Sequence, residues 1–162
     1  MLLVLDIDGT LANTSKRDHF IDKPEPSPED WESFNAIENV VQDDPFLEAQ
    51  FALPDLLEEI DEIIILSGRP EYTRDITIDW LEEHYNLGLS NPKVVDVVLR
   101  PGRDFRKARK FKEGIIFDVI LPEYGNEEII FVDDDLDNIE MMSKFGEAWV
   151  APKIWEELIR GS

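Results

Sequence analysis

The sequence has 162 residues, a formal net charge of −21, no cysteine, and only His19 and His84 as histidines. A length in the ~100–200 residue range suits one domain with its own core, and 43% hydrophobic residues are enough to fill it. This composition excludes disulfides and thiolate metal sites, leaves too few histidines for a histidine-built zinc site, and sets an acidic field that argues against broad binding of polyanions.

The first apolar run is short. Leu2–Leu5 precede an acid, too few for a secretory leader, and no segment approaches the ~18 consecutive apolar residues of a membrane helix. The expected location is therefore cytoplasmic, with no membrane partner. Leu2–Leu5 instead suits a strand buried on both faces, ending in Asp6-Ile7-Asp8-Gly9. Residues 12–30 contain Asn13, Pro24, Pro26 and Pro28 without a clear period, and a connection this long implies an ordered loop or small cap. Trp31, Phe34, Ile37 and Val41 fall at helical spacing, and Pro45 is expected to open a second helix to about Ile60. The cap or insertion is thus bounded at approximately 12–45.

Ile63–Leu66 reads as a second buried strand, closed by Ser67-Gly68-Arg69-Pro70. A helix follows with Ile76, Trp80 and Leu81 on one face. Val94–Leu99 is the third strand. Phe105, Ala108, Phe111, Ile115, Ile116 and Val119 mark an amphipathic helix. Ile129–Val132 is the fourth strand, ending in Asp133-Asp134-Asp135. Ile139, Met142 and Phe145 suggest another helix, Ala148–Ala151 a fifth strand, and Ile154–Ile159 a closing helix. Strands separated by helices imply a single α/β domain over residues 1–162, with a mainly parallel sheet of about five strands and helices on both faces. Ligands bind such sheets at the carboxyl ends of the strands. Three of those ends carry chemistry here: Asp6/Asp8, Ser67/Arg69 and Asp133/Asp134.

A carboxylate at a strand end can attack phosphorus. A second one two residues later can protonate the leaving oxygen and then activate water. Adjacent acids also attract Mg²⁺, which favours hard oxygen ligands, and Gly9 permits a sharp backbone turn. The Ser67 hydroxyl and the N–H groups after it could hold an anion at a helix N-terminus, or could simply cap that helix. Arg69 could fork onto phosphate oxygens or lie on the surface. Lys112 shares a helical row with Phe105, Ala108, Ile116 and Val119; a lysine there either snorkels outward or serves the site, with Lys107 and Lys110 as fallback candidates. Asp133-Asp134-Asp135 could cap a helix, but three acids at a buried strand end repel one another without a cation.

Asp6-Ile7-Asp8-Gly9-Thr10-Leu11 resembles the first motif of the haloacid dehalogenase superfamily, a Rossmann-like fold, and the resemblance continues through Ser67, Lys112 and Asp133-Asp134 with Asn138. It implies a phosphatase in which Asp6 is the nucleophile and Asp8 the acid/base. Ser67 and Lys112 would complete the catalytic set. Asp6, Asp8 and Asp134 would bind Mg²⁺ directly, and Asp133 and Asn138 through water. Dehalogenases proper lack the second aspartate. A narrower resemblance is to the phosphatase half of polynucleotide kinase-phosphatases. It is carried by Arg17, Ser67-Gly68-Arg69-Pro70, Leu99-Arg100-Pro101 with Asp104-x-Arg106, and Glu140-Met141-Met142 before Gly146. It implies substrate contacts from Thr10, Arg17, Gly68, Arg69 and Arg106. Ala108 stands where related sequences carry an acid one turn before the lysine. No Gly-x-x-x-x-Gly-Lys-Ser/Thr loop occurs, so no kinase half is expected.

Seven of the sixteen basic residues lie within Arg100–Lys112: Arg100, Arg103, Arg106, Lys107, Arg109, Lys110 and Lys112. A basic segment beside a phosphate site suggests capture of an anion longer than one phosphate, and hence the phosphorylated 3′ end of a nucleic acid as partner. The alternatives are a small-molecule phosphatase acting on nucleotides or sugar phosphates, a non-catalytic phosphate-binding relative, and a receiver-like phospho-acceptor. A receiver would carry its acceptor acid after the third strand, where Leu99-Arg100-Pro101 offers none.

Overall fold

Leu2–Leu5 forms β1, and all four side chains are buried. They can be buried on both faces only if β1 has a strand on each side and helices above and below. In the computed structural model, which describes residues 1–161, β1 pairs in parallel with β4 (Glu62–Pro70) and with β6 (Ile129–Asp133). With β5 (Val94–Arg100) and β7 (Glu147–Val150) at the edges, the sheet order is β5-β4-β1-β6-β7, parallel throughout. This is the expected Rossmann-like α/β fold.

The period of two along the strands divides the core. Leu3, Leu5, Ile63, Ile65, Ile130 and Val132 face one side. They pack on Ala49 and Leu53 of α3 (Leu47–Glu58), Trp80 and Leu81 of α4 (Arg74–Tyr85), and Trp155 of α8 (Lys153–Arg160). Leu2, Val4, Ile64, Leu66, Ile129 and Phe131 face the other side. There they meet Phe111 of α5 (Ala108–Ile115), Ile116 and Ile120, Tyr124 of α6 (Leu121–Tyr124), and Met141 and Met142 of α7 (Leu136–Met142). Among the described residues, no helix is long and apolar enough to cross a membrane.

Between β1 and α3 the chain makes β2 (Ala12–Asn13), a short 3₁₀ turn at Asp18–Phe20, α1 (Pro28–Phe34), α2 (Ile37–Val40) and β3 (Asp44–Pro45). Strands β2 and β3 pair antiparallel, so the two ends of the excursion meet beside the end of β1. Ser27 and Asp30 form a capping box at the start of α1, with Pro28 in its first turn.

Several local expectations are corrected. The spacing of Trp31, Phe34, Ile37 and Val41 does not mark one buried face, because the helix breaks at Asn35 and Ala36. Phe34 and Val40 point inward while the other three are exposed. Pro45 belongs to β3, and α3 begins at Leu47. Strand β4 continues past Leu66 to Pro70, so Ser67 lies within a strand and not at a helix N-terminus. Phe105 precedes α5 and is 79% exposed. Residues Ile116–Ile120 wind as a π-helical turn, and its wider winding shifts the side-chain register. Ile116, Ile120 and Tyr124 then face the sheet and Val119 turns outward.

Trp155 is fully buried, and its indole Nε1 donates to the Thr10 carbonyl at 2.9 Å. Helix α8 is thereby fastened to the loop after β1. Trp155→Phe keeps an aromatic in the core but removes this donor. Urea unfolding should show a loss of about 1–3 kcal/mol, as for a buried acceptor left unpaired. A loss below about 0.5 kcal/mol, the scatter of surface substitutions, would contradict the fastening role.

Candidate active site

The carboxyl ends of β1 and β6 lie side by side in the sheet and deliver Asp6 and Asp133 to one place. Both are buried, with Asp133 fully enclosed. Lys112, on α5, is 2% exposed and lies between them. Its Nζ donates to Asp6 Oδ1 at 2.8 Å and to Asp133 Oδ2 at 2.6 Å. It is therefore neither a snorkelling lysine nor an edge residue. Lys107 and Lys110 are exposed. No acid at position 108 is needed to anchor Lys112, because both its partners come from the sheet.

The other oxygen of Asp6, Oδ2, accepts from the buried Thr10 hydroxyl at 3.0 Å. Asn138 Nδ2 donates to both oxygens of Asp133, at 3.3 and 3.2 Å, and the backbone N–H of Asp135 donates to Asp133 Oδ1 at 2.9 Å. Asp135 also caps α7 by accepting from the N–H groups of Asp137 and Asn138. Asp134 reaches solvent on one side and lies against the turn after β1. There Gly9 adopts φ +81°, and a Cβ on it would fall 2.0 Å from Asp134 Oδ2. Only glycine allows both that dihedral and that approach.

Oxygens of Asp6, Asp133 and Asp134 lie within 4.8 Å of one another. Burial and then the charge of Asp133 raise the Asp6 carboxyl above the ordinary aspartate range, desolvation and then the charges of Asp6 and Asp133 raise that of Asp134, and Lys112 offsets only part of either shift. Asn138 Oδ1 is buried without a hydrogen-bond partner. Hard carboxylate oxygens, crowded acids and an unpaired amide oxygen fit a hard divalent cation. These three aspartates could hold a metal.

Asp8 is placed differently. Its Oδ1 accepts from Arg17 Nη2 at 2.7 Å, and from Arg69 Nη2 at 2.8 Å and Nε at 3.0 Å. Desolvation raises its pKa, but the two guanidiniums outweigh it and hold the carboxyl below the usual range. Its carboxylate does not belong to the Asp6–Asp133–Asp134 group. Arg17 and Arg69, candidates for substrate contact, are buried in this cluster. They also bind Asp43, which sequence reasoning did not single out. Nothing in Gln42-Asp43-Asp44-Pro45 separates Asp43, which is buried, from Asp44, which is exposed.

Ser67 is fully buried, and its Oγ accepts from the Arg69 backbone N–H at 3.0 Å. The Gly68 carbonyl accepts from Arg100 Nε at 3.3 Å, which ties the end of β5 to the end of β4. Arg106 is exposed, is paired with Asp104 at 2.5 Å, and makes no contact with the carboxylate group. The structure thus gathers Asp6, Thr10, Lys112, Asp133, Asp134 and Asn138 at one point, Asp8, Arg17 and Arg69 beside it, and leaves Arg106 on an outer loop.

The fold and this lysine-bridged set of strand-end aspartates are those of the haloacid dehalogenase superfamily. A family model described as the polynucleotide kinase PNKP phosphatase domain matches residues 1–147. The chain belongs to that family. No curated protein gives a significant match. Among solved structures, one described as a Pnkp1/Rnl/Hen1 complex aligns with TM-score 0.66 and 18% identity. It covers 93% of this chain and 45% of that one. A second, described as the Pnkp1/Rnl/Hen1 RNA repair complex, gives TM-score 0.64 at 18% identity over 93% of this chain and 43% of the other. The chain thus spans less than half the length of these relatives. A haloacid dehalogenase-like hydrolase from Streptococcus pneumoniae gives TM-score 0.60 and 11% identity, covering 99% and 98% of the two chains.

The acid crowding has a sign that can be measured. Asp6 and Asp134 titrate higher in the folded state than their ordinary value of 3.8. The folded protein therefore binds more protons than the unfolded chain, and stability declines as pH rises above that value. Asp8, which is shifted down, acts oppositely but only in the acid range below its unfolded value. In EDTA, the melting temperature should fall from about pH 5 to pH 8, and Asp134→Asn should flatten that slope. A slope that is flat in wild type, or unchanged in Asp134→Asn, would contradict the crowding.

Proposed function

We propose that this chain is a Mg²⁺-dependent phosphomonoesterase that works through an aspartyl-phosphate on Asp6 and removes a terminal 3′-phosphate from a polynucleotide. The observation that carries the chemistry is the setting of Asp6. One oxygen is held by Lys112 and the other by Thr10, at a buried strand end beside Asp133 and Asp134. A carboxylate so fixed is oriented for attack without further ordering. Mg²⁺ bound by Asp6, Asp133 and Asp134 would supply charge neutralisation for the phosphoryl oxygens. Lys112 adds a fixed positive charge to the same point.

In the first step the Asp6 carboxylate forms the bond to phosphorus as the bond to the ester oxygen breaks, and Asp8, once it has left the two guanidiniums that hold it ionised and has taken up a proton, gives that proton to the departing oxygen. In the second, water attacks phosphorus, returns a proton to Asp8, and releases inorganic phosphate and free Asp6. Ser67 and Gly68 lie in the neighbouring strand β4, beside which the transferring group would sit.

The polynucleotide part rests on the family and on the basic segment. Within it Arg100 binds the Gly68 carbonyl, Arg106 pairs with Asp104, Arg109 with Glu140, and Lys112 with Asp6 and Asp133. Among the described residues, Arg103, Lys107 and Lys110 are exposed and form no ion pair. These three, on the loop that leaves β5 and on the first turn of α5, are the cations available for backbone phosphates. The RNA repair assembly of the structural relatives points the same way. The rival reading is a small-molecule phosphatase, and the acidic surface elsewhere favours neither.

Asp6→Asn preserves size and should abolish turnover while leaving the melting temperature within a few degrees. Mg²⁺ should raise the melting temperature of wild type by mass action and do much less for Asp134→Ala. Near wild-type turnover in Asp6→Asn would refute the nucleophile, and an equal Mg²⁺ response in both proteins would remove Asp134 from the metal. For the substrate, catalytic efficiency on a 3′-phosphorylated oligonucleotide should exceed that on a 3′-mononucleotide and should fall more steeply with salt, because backbone contacts release counterions. If the mononucleotide is the equal or better substrate in low and moderate salt, the small-molecule reading holds instead.

A further inference from the structure

Two buried guanidiniums and one buried carboxylate beside the site are not accounted for by the chemistry above. Arg17 and Arg69 are each 1% exposed and Asp43 is 4% exposed. Asp43 takes Arg17 in a two-point grip, Nε to Oδ1 at 2.9 Å and Nη2 to Oδ2 at 2.7 Å, and accepts from Arg69 Nη2 at 3.1 Å. The same two arginines hold Asp8. The four side chains form a closed group of two cations and two anions.

The two anions are not equivalent. The Asp43 side chain is fully enclosed, whereas that of Asp8 is 24% exposed. Asp43 is fixed from behind, since its carbonyl accepts from Trp80 Nε1 at 2.9 Å and the next residues form β3, which closes onto β2. Both arginines have further partners on the side away from Asp8. Arg17 Nη1 donates to the Phe34 carbonyl at 3.0 Å, and its guanidinium lies 4.2 Å over the Phe34 ring. Arg69 Nη1 donates to Thr77 Oγ1 at 3.2 Å.

We infer that Asp43 is a positioning residue for Asp8, acting through Arg17 and Arg69. The inference rests on the phosphatase reading, in which Asp8 protonates the leaving oxygen. Asp8 in its present position is bound to the arginines and is not grouped with Asp6. To serve a substrate on Asp6 it has to exchange arginine contacts for substrate contacts. A buried guanidinium whose only anion leaves becomes an uncompensated charge, which is strongly unfavourable. Asp43 lowers that obstacle by keeping a carboxylate bonded to both arginines, so that one net positive charge is left between them instead of two, and by holding both oriented while Asp8 moves. The planar, bidentate fit between guanidinium and carboxylate makes the support directional as well as electrostatic.

The leaving group supplies the test. A p-nitrophenolate departs without a proton, whereas an alkoxide requires one, so a defect in positioning Asp8 is selective for alkyl esters. With Mg²⁺ present, kcat is measured for wild type, Asp43→Asn and Asp43→Glu on p-nitrophenyl phosphate and on the better of a 3′-phosphorylated oligonucleotide and a 3′-mononucleotide. Asp43→Asn should lose about 100-fold or more on the alkyl ester, the scale of general acid catalysis, and only about threefold on the aryl ester. Its Mg²⁺-induced rise in melting temperature should match wild type, because the metal group is separate. Asp43→Glu keeps the charge but displaces the guanidiniums by one methylene. It should show the same preference to a smaller degree, and it carries the test alone if the Asn variant does not fold. Equal losses on both esters, or none, overturn the inference and leave the phosphatase reading standing. A wild type that turns over neither ester overturns both.

Discussion

The ammonium of Lys112 between Asp6 and Asp133 is the interaction on which the site depends. Two adjacent parallel strands end in buried carboxylates, and a third carboxylate, Asp134, stands within reach. Charges removed from water are tolerated only when paired and hydrogen-bonded. Lys112 pairs two of the three, and Thr10, Asn138 and the backbone of Asp135 satisfy most of the remaining oxygens. One positive charge does not balance three negative ones. Burial first, and the residual repulsion after it, raise Asp6 and Asp134; under the proposed function a cation at this point would relieve both.

The fold makes this arrangement rigid. The nucleophile candidate is the residue after the central strand, which is buried on both faces and flanked by two parallel neighbours. The turn after it is held by Gly9 against Asp134, by the Trp155 indole on the Thr10 carbonyl, and by β2 pairing with β3. Helix α8, the last element of the chain, and β3, the end of the excursion after β1, thus both secure the same few residues. Stability and chemistry share those contacts, so substitutions there are expected to disturb both.

Much of this was legible beforehand because it depends on local pattern. Continuous apolar runs mark the central strands, and an acid directly after two of them, Asp6 and Asp133, marks the edge where the site lies. Lys112 was singled out by the motif order of the family resemblance, since its helical row left a snorkelling lysine equally open and two members of that row, Phe105 and Val119, are exposed. The arginine cluster was not. Asp43 is distinguished from Asp44 only by the way the excursion folds back on the sheet, and no period or motif encodes that return. Arg69 was read as a substrate or surface residue because its strand was expected to stop at Leu66, whereas β4 runs on to Pro70 and carries it inward. Val119 was misread because a π turn has no sequence signal in the spacing of apolar residues, yet it rotates every side chain beyond it. The family resemblance to polynucleotide kinase phosphatase domains held over residues 1–147, since its motifs sit at the strand ends where local pattern is strongest.

The central claim is that Asp6 carries the phosphoryl group. The most direct measurement is mass spectrometry of the protein quenched in acid during turnover of p-nitrophenyl phosphate with Mg²⁺, with peptide mapping of the modified residue. A single added phosphoryl group on the peptide containing Asp6, labile to hydroxylamine and absent from Asp6→Asn, is the result expected for an acyl phosphate. Turnover without any such adduct in wild type and in Asp8→Asn, or an adduct mapped to another residue, would contradict the account.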